Sequence, residues 1–154
     1  MSAATIRLAT EADHAIVDRI STEAYARYAT EIGIVPLPAR EDYGPRIRRG
    51  EVWLLEAGGE IVGLIVLETK ADHLLIFSVA VSPARQGQGH GLVLLRFADA
   101  RALALGLNEV RLYTNARMMR NIALYERFGY RRTGTRPHPT RADHAVVDMA
   151  KTLR

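Results

Sequence analysis

Residues 73–91 constrain the fold more than any other stretch. Residues 73–81 (HLLIFSVAV) form a nearly continuous apolar run, the pattern of a central strand covered on both faces. Pro83 stops that run, and the chain passes through Gly87, Gly89 and Gly91 into the long helical pattern of 89–105. A buried strand therefore gives way to a glycine-rich loop that opens a helix. Glycine tolerates positive φ and lets backbone pass close to a ligand. The first turn of a helix carries unpaired N–H groups and about half a positive charge. Together these features suit a phosphate or diphosphate. A flexible turn before a helix is the alternative reading, and three glycines in five positions weigh against it. The loop is not a Walker loop, because no Gly-Lys-Ser/Thr follows. Nor does Gly87-x-Gly89-x-Gly91 have the Gly-x-Gly-x-x-Gly spacing of a dinucleotide fold.

The rest of the chain supplies the frame. Residues 5–9 read as a short strand. Residues 11–28 place Ala12, Ala15, Ile16, Ile20, Ala24 and Tyr25 at helical spacing, with Thr10 as N-cap and Asp13 at capping-box distance. Two prolines make 33–39 irregular, and 40–49 is a candidate short helix despite Gly44 and Pro45. Gly58-Gly59 between 51–57 and 60–68 signals a hairpin. In the 89–105 helix, Leu92, Leu95, Ala98, Ala102 and Leu105 line one face, and Gly106 is a natural stop. A strand over 109–114, a helix over 119–128 ended by Gly129, and strands over 130–134 and 145–152 complete the order. The reading is a mixed α/β sheet with helices on its faces, not a repeated βαβ series.

At 154 residues the chain fits one domain, 1–154. The absence of cysteine excludes disulfides, Cys-ligated zinc, iron–sulfur sites and a Cys nucleophile, and no metal site is expected. No apolar run approaches the ~18 residues of a spanning helix, and the N-terminus lacks a secretory pattern. The expectation is a cytoplasmic protein with no membrane partner. Charge is uneven: residues 1–77 hold 8 Lys/Arg against 12 Asp/Glu, and 78–154 hold 13 against 5. A basic half fits an anionic partner or an ordinary solvated Arg-rich surface. With Lys70 and Lys151 as its only lysines, the chain lacks the Lys-rich arm of a non-specific nucleic-acid binder, and no nucleic-acid partner is expected.

Two segments carry a family resemblance. Gln86-x-x-Gly89-x-Gly91, preceded by Val79-Ala80-Val81-Ser82-Pro83, resembles the Gln/Arg-x-x-Gly-x-Gly/Ala motif and cofactor strand of the GCN5-related N-acetyltransferase (GNAT) superfamily. Asn121-Ile122-Ala123-Leu124-Tyr125-Glu126-Arg127-Phe128-Gly129-Tyr130 is similar to that family's second signature helix. The similarity covers about residues 50–135. It implies a mostly antiparallel central sheet of about 6–7 strands flanked by about 4 helices, with a splayed strand pair holding the cofactor.

The resemblance also implies an acetyl-CoA-dependent N-acetyltransferase (a transferase of the acyltransferase class). Val79, Ala80 and Val81 would hold the pantetheine, with Val79 and Val81 pairing through their main chains. The N–H groups of Gln86, Gly87, Gln88, Gly89, His90 and Gly91 would hold the diphosphate. Arg85, Arg117, Arg120 and Arg127 are unranked candidates for cofactor phosphates, each with an exposed Arg as its plainer reading. Tyr125 would protonate the leaving thiolate, since a phenol with pKa near ~10 is protonated at neutral pH; packing alone is its plainer role. Asn121, four residues earlier, shares its helix face. The family's usual asparagine, seven residues before the tyrosine, is replaced by Met118, and Asn115 reads as a cap.

The base is unassigned. No carboxylate lies between Asp72 and the glycine loop; Ser78 holding a water, His73, His138 and His144 are the candidates. Tyr25, Tyr28, Tyr43 and Trp53 are candidates for an acceptor pocket, with core packing the stronger reading for Trp53. The acidic first half favours a cationic amine. Expected partners are acetyl-CoA, an amine of a small molecule or protein, and a second copy in a homodimer. The competing reading is a CoA or acyl-CoA sensor without turnover.

Overall fold

The computed structural model describes residues 4–153. Seven strands hydrogen-bond in the order β1-β2-β3-β4-β5-β7-β6, where β1 is Thr5–Leu8, β2 Val52–Ala57, β3 Glu60–Thr69, β4 Leu74–Val81, β5 Glu109–Asn115, β6 Arg131–Pro137 and β7 Ala145–Thr152. The helices are α1 (His14–Ile32), α2 (Leu37–Arg40), α3 (Gly44–Arg48), α4 (His90–Ala104) and α5 (Met119–Arg127). The chain divides into two compact units: the first holds everything up to Glu68 together with Phe77–Phe97, the second Thr69–Ile76 and Ala98 onward.

In the first unit, β1, β2 and β3 form an antiparallel meander. The Gly58–Gly59 turn has φ of 61° and 79°, the double positive φ that a type I′ hairpin requires. Leu54, Leu55, Leu64, Ile65, Val17, Ile20 and Leu94 are fully buried. Gly63 has a packing reason: a Cβ there would lie 2.9 Å from the Ala80 carbonyl oxygen and 3.3 Å from Leu94 Cδ1. Gly63→Ala is expected to lower stability by about 1–3 kcal/mol, as overpacking does, read as a lower urea midpoint at unchanged slope. Asp13 accepts from the Thr10 N–H at 2.7 Å and from the Arg7 guanidinium at 2.9 Å, which holds its carboxyl down near about 2, Arg7 being the largest cause. The helix after Thr10 begins as a 3-10 turn, Glu11–Asp13, before α1 proper. The irregular stretch expected over 33–39 is corrected: α2 starts there, with Pro36 at its N-cap and Pro38 inside its first turn, where a missing N–H costs nothing.

In the second unit, β5 pairs antiparallel with β7, and β7 with β6. Leu74–Ile76 of β4 pair in parallel with Val110–Leu112 of β5; β4 runs on to Val81 and β5 to Asn115. The α4 terminus is a Schellman motif. Gly106, at φ 77°, donates to Leu103 O, and Leu107 N–H donates to Ala102 O at 2.8 Å. Ala98, Ala102, Val110, Leu112, Ile122, Tyr130 and Met149 form the core. Of the apolar face expected for α4, Leu95, Ala98 and Ala102 are buried and Leu92 is half-buried; Leu94 is buried besides, while Leu105 is 38% exposed. The edge strand β6 is exposed along its whole length. Arg131, Arg132, Arg136, Pro137 and a register shift at Arg132/Gly134 blunt that edge against further strand pairing.

Candidate cofactor and active site

The glycine loop lies in the first unit. Ser82 leads into a 3-10 turn, Pro83–Arg85, after which Gln86 is extended and Gly87 and Gly89 take φ of 81° and 84°. The first helical bond runs from Val93 N–H to Gly89 O at 3.1 Å, so the N–H groups of His90, Gly91 and Leu92 precede the ladder. Gln86 Nε2 donates to Val81 O at 3.1 Å and closes the loop onto β4. His90 Nε2 lies 3.2 Å from Gln88 Oε1. Gly91 differs from its neighbours: its φ is not positive, and a Cβ there would meet nothing within 4 Å. Among the described residues no neighbour within 4 Å requires glycine at 91.

Upstream, Val79 and Val81 are half-buried on one face of β4 and Ala80 is buried. Ser78 and Val79 are held from α1. The Tyr25 hydroxyl lies 3.0 Å from Ser78 Oγ and donates to Val79 O at 3.1 Å. Burial pushes Tyr25 up to about 12, against the opposing effect of the Ser78 bond, so it is a neutral structural donor. Tyr25 is thereby removed from the acceptor-pocket candidates. So is Tyr43, buried with its hydroxyl donating to Pro38 O and its ring edge-on to Phe77. Trp53 packs on Phe97 at 5.0 Å, and Tyr28 is half-buried beside Tyr25.

Helix α5 lies in the second unit. Asn121 and Tyr125 are half-buried and stand one turn apart, next to buried Ile122. Tyr125 meets Tyr130 edge-on at 5.9 Å. Tyr130 is buried beside the Asp99–Lys151 pair, and burial first, then the Asp99 charge, push its phenol far up. Lys151 Nζ also lies 3.9 Å from the Phe128 ring centroid. Met118, where the family asparagine is usual, is buried and takes the Thr114 hydroxyl at 3.5 Å.

The base candidates differ in what their lone pairs do. Ser78 spends its proton on the Tyr25 oxygen, because the Tyr25 proton goes to Val79 O. His73 Nδ1 bonds Asp72 at 2.7 Å. His138 Nδ1 accepts the N–H groups of Thr140 and Arg141 at 3.1 and 3.2 Å. His144 Nδ1 is bonded to Asn115. Among the arginines, Arg85 is paired with Glu60 and Arg117 with the Asp143 carbonyl; Arg120 and Arg127 are exposed on α5.

Two clefts are lined by charged side chains. One of about 520 Å³ in the second unit is crossed by Arg136 paired through both nitrogens to Asp148, and by Arg111 paired with Glu109. The other, about 390 Å³ in the first unit, is lined by Asp18 and Asp42, both facing His14. Among the described residues, no group of three or more metal-ligating side chains assembles, and no helix is long and apolar enough to cross a membrane.

The comparisons with known proteins agree with this fold. The profile of the Acetyltransferase (GNAT) family matches residues 17–130, and the chain belongs to that family. It is 27% identical over 95 residues to the uncharacterized N-acetyltransferase YvbK of Bacillus subtilis, covering 61% of each protein. It is 29% identical over 94 residues to mouse N-acetyltransferase 8, covering 57% of this chain and 41% of the relative. The matches thus span less than two-thirds of these curated relatives. Among solved structures, a paia N-acetyltransferase from Thermoplasma acidophilum in complex with coenzyme A superposes with a TM-score of 0.77 at 19% identity, covering 97% of this chain and 99% of that one. That likeness is one of fold.

Proposed function

We propose that the chain, acting as one domain over 1–154, is an acetyl-CoA-dependent N-acetyltransferase of the cytoplasm. It would move the acetyl group to a primary amine of a small molecule or protein within a ternary complex. The observation that carries this reading is the loop after β4: Gly87 and Gly89, at φ of 81° and 84°, deliver the chain to a helix whose N–H groups at His90, Gly91 and Leu92 precede its ladder. In the proposal, the N–H groups from Gln86 to Gly91 take the diphosphate, with His90 at the head of α4. Val79, Ala80 and Val81 present the strand edge to the pantetheine, and Asn121 contacts the same arm. The neutral amine attacks the acetyl carbonyl. The C–N bond forms as the C–S bond breaks, Tyr125 delivers its phenolic proton to the departing thiolate, and the amine's surplus proton passes to water, which returns one to the Tyr125 phenolate. Holding amine and thioester together supplies roughly 7–11 kcal/mol in the best cases, so a dedicated base is dispensable. The protein is proposed to work as a homodimer.

Titration calorimetry with coenzyme A tests the site. Gly89→Glu forces a side chain into φ 84° and sets a carboxylate where an anion should bind. Affinity is expected to fall by about a hundredfold, roughly 2.7 kcal/mol. Unchanged uptake would refute the loop assignment. The engaged Nδ1 lone pairs of His138 and His144 favour the second reading, a CoA or acyl-CoA sensor. Tight binding without thiol release across a broad amine panel would select it.

A further inference from the structure

We propose that His144 is a positioning residue for α5, and through α5 for Tyr125, holding the β5–α5 turn in place only while its imidazole is neutral. The effect on turnover rests on the acetyl-transfer reading above; the clamp itself does not. Asn115, the last residue of β5, and the two residues after it are tied to Ala145, the first residue of β7, and the two residues before it. The Asn115 side-chain amide bonds His144 Nδ1 at 2.9 Å. Ala116 N–H donates to Ala145 O at 2.8 Å. The Arg117 guanidinium donates to Asp143 O at 2.8 Å. The turn then runs straight into the helix, with Met118 N–H on Asn115 O at 2.9 Å and Ile122 N–H on Met118 O at 3.1 Å. Tyr125 follows within the next turn of α5.

The direction of the Asn115–His144 bond follows from its neighbours. Arg117 N–H donates to Asn115 Oδ1 at 2.9 Å, so the amide nitrogen faces the ring. An amide nitrogen only donates. His144 Nδ1 therefore accepts, and the ring proton sits on Nε2. The side chain is fully buried, and Nε2 is buried without a hydrogen-bond partner. Asp143 Oδ2 stands 3.7 Å from it, beyond hydrogen-bond range. With one nitrogen engaged and the other protonated, this histidine is no general base; its chemistry is to accept one bond.

Protonation would put an N–H on Nδ1, facing the N–H of Asn115, and turn the attraction into a clash. The charged and titratable groups facing the ring are Arg117 from the β5–α5 turn, and Arg141, His138 and Asp143 from the loop between β6 and β7. Asp143, the only carboxylate among them, is held by Arg141 at 3.1 Å. Burial first, and then Arg117, hold His144 below its ordinary value. A lowered folded value means the clamp contributes fully above about 6.5, the unfolded value, and is lost as pH falls through the folded one.

Histidine side-chain NMR on the unliganded chain, titrated from neutral to acid pH, tests the clamp directly. His144 is expected as the Nε2–H form at neutral pH, titrating below about 6.5, with the Ala116 amide losing exchange protection in step. Asn115→Asp replaces a donor with an acceptor and favours the imidazolium, so the His144 titration should rise by about tenfold or more in proton affinity. A proton on Nδ1 at neutral pH, a wild-type titration at or above the ordinary value, or no rise in Asn115→Asp would overturn the clamp. For positioning, kcat at saturating amine is followed against pH. His144→Gln keeps an acceptor that cannot titrate, and it should lack the part of the acid limb that His144 sets while KM for acetyl-CoA stays within about twofold, or roughly 0.4 kcal/mol. A wild-type limb in that variant would refute the role. A chain that acetylates no amine still yields the imidazole titration, so failure of the catalytic reading and failure of the clamp are told apart.

Discussion

Tyr125→Phe is expected to lower kcat for acetyl transfer by about 10²–10⁴-fold, the range a positioned proton donor contributes, while the acetyl-CoA dissociation constant moves by less than about 0.4 kcal/mol, or twofold. The substitution is clean because the ring stays. Phenylalanine keeps the edge-on contact with Tyr130 at 5.9 Å and the helix face shared with Asn121, and it loses only the hydroxyl. The thiolate then departs without a proton, and the deficit falls on turnover rather than binding. Stopped-flow thiol release beside calorimetry separates the two. Unchanged kcat would remove the acid role from Tyr125. A weakened dissociation constant with proportionate kcat/KM would make the hydroxyl a binding group instead.

What could be read in advance was local. The apolar run into Pro83, the glycines after it and Gly106 each encode a bond or a φ within a few residues, and the strand, the loop and the Schellman stop lie where they were expected. The Gly58–Gly59 hairpin is legible for the same reason. Partners far apart in sequence were not legible. Tyr25 meets Ser78 across 53 positions and Asn115 meets His144 across 29, and no periodicity marks either pair. Tyr25 looked like a pocket aromatic because an amphipathic helix gives it no neighbour until β4 packs against it. The α2 turn is hidden in the sequence because the two prolines of 33–39 read as breakers, whereas proline is tolerated at the start of a helix. Leu105 looked buried because its spacing continues the α4 face, but the chain has already entered its terminal turn there.

Arg46→Met is expected to destabilise the protein by about 3–5 kcal/mol, the cost of removing one partner from a buried ionic cluster. The guanidinium, with a side chain only 11% exposed, bonds Glu41 through Nε, and Glu51 and Glu68 through Nη1 at 3.0 and 2.8 Å. It also lies 3.8 Å from the Phe77 ring centroid. One cation thus ties the approach to α3, the start of β2 and the end of β3 to the strand that leads to the glycine loop. Methionine fills much of the same volume but leaves Glu41 and Glu68 without that cation; Glu51 keeps Arg49 at 3.1 Å. Adding Glu68→Gln to Arg46→Met should recover part of the loss, since an uncharged amide costs less to leave in place. Urea denaturation of the two single variants and the double variant closes the cycle. A loss under about 1 kcal/mol for Arg46→Met would mean that solvent screens the cluster as it does a surface pair. In that case the geometry of β4 is set by the apolar contacts of Phe77 and its neighbours rather than by charge.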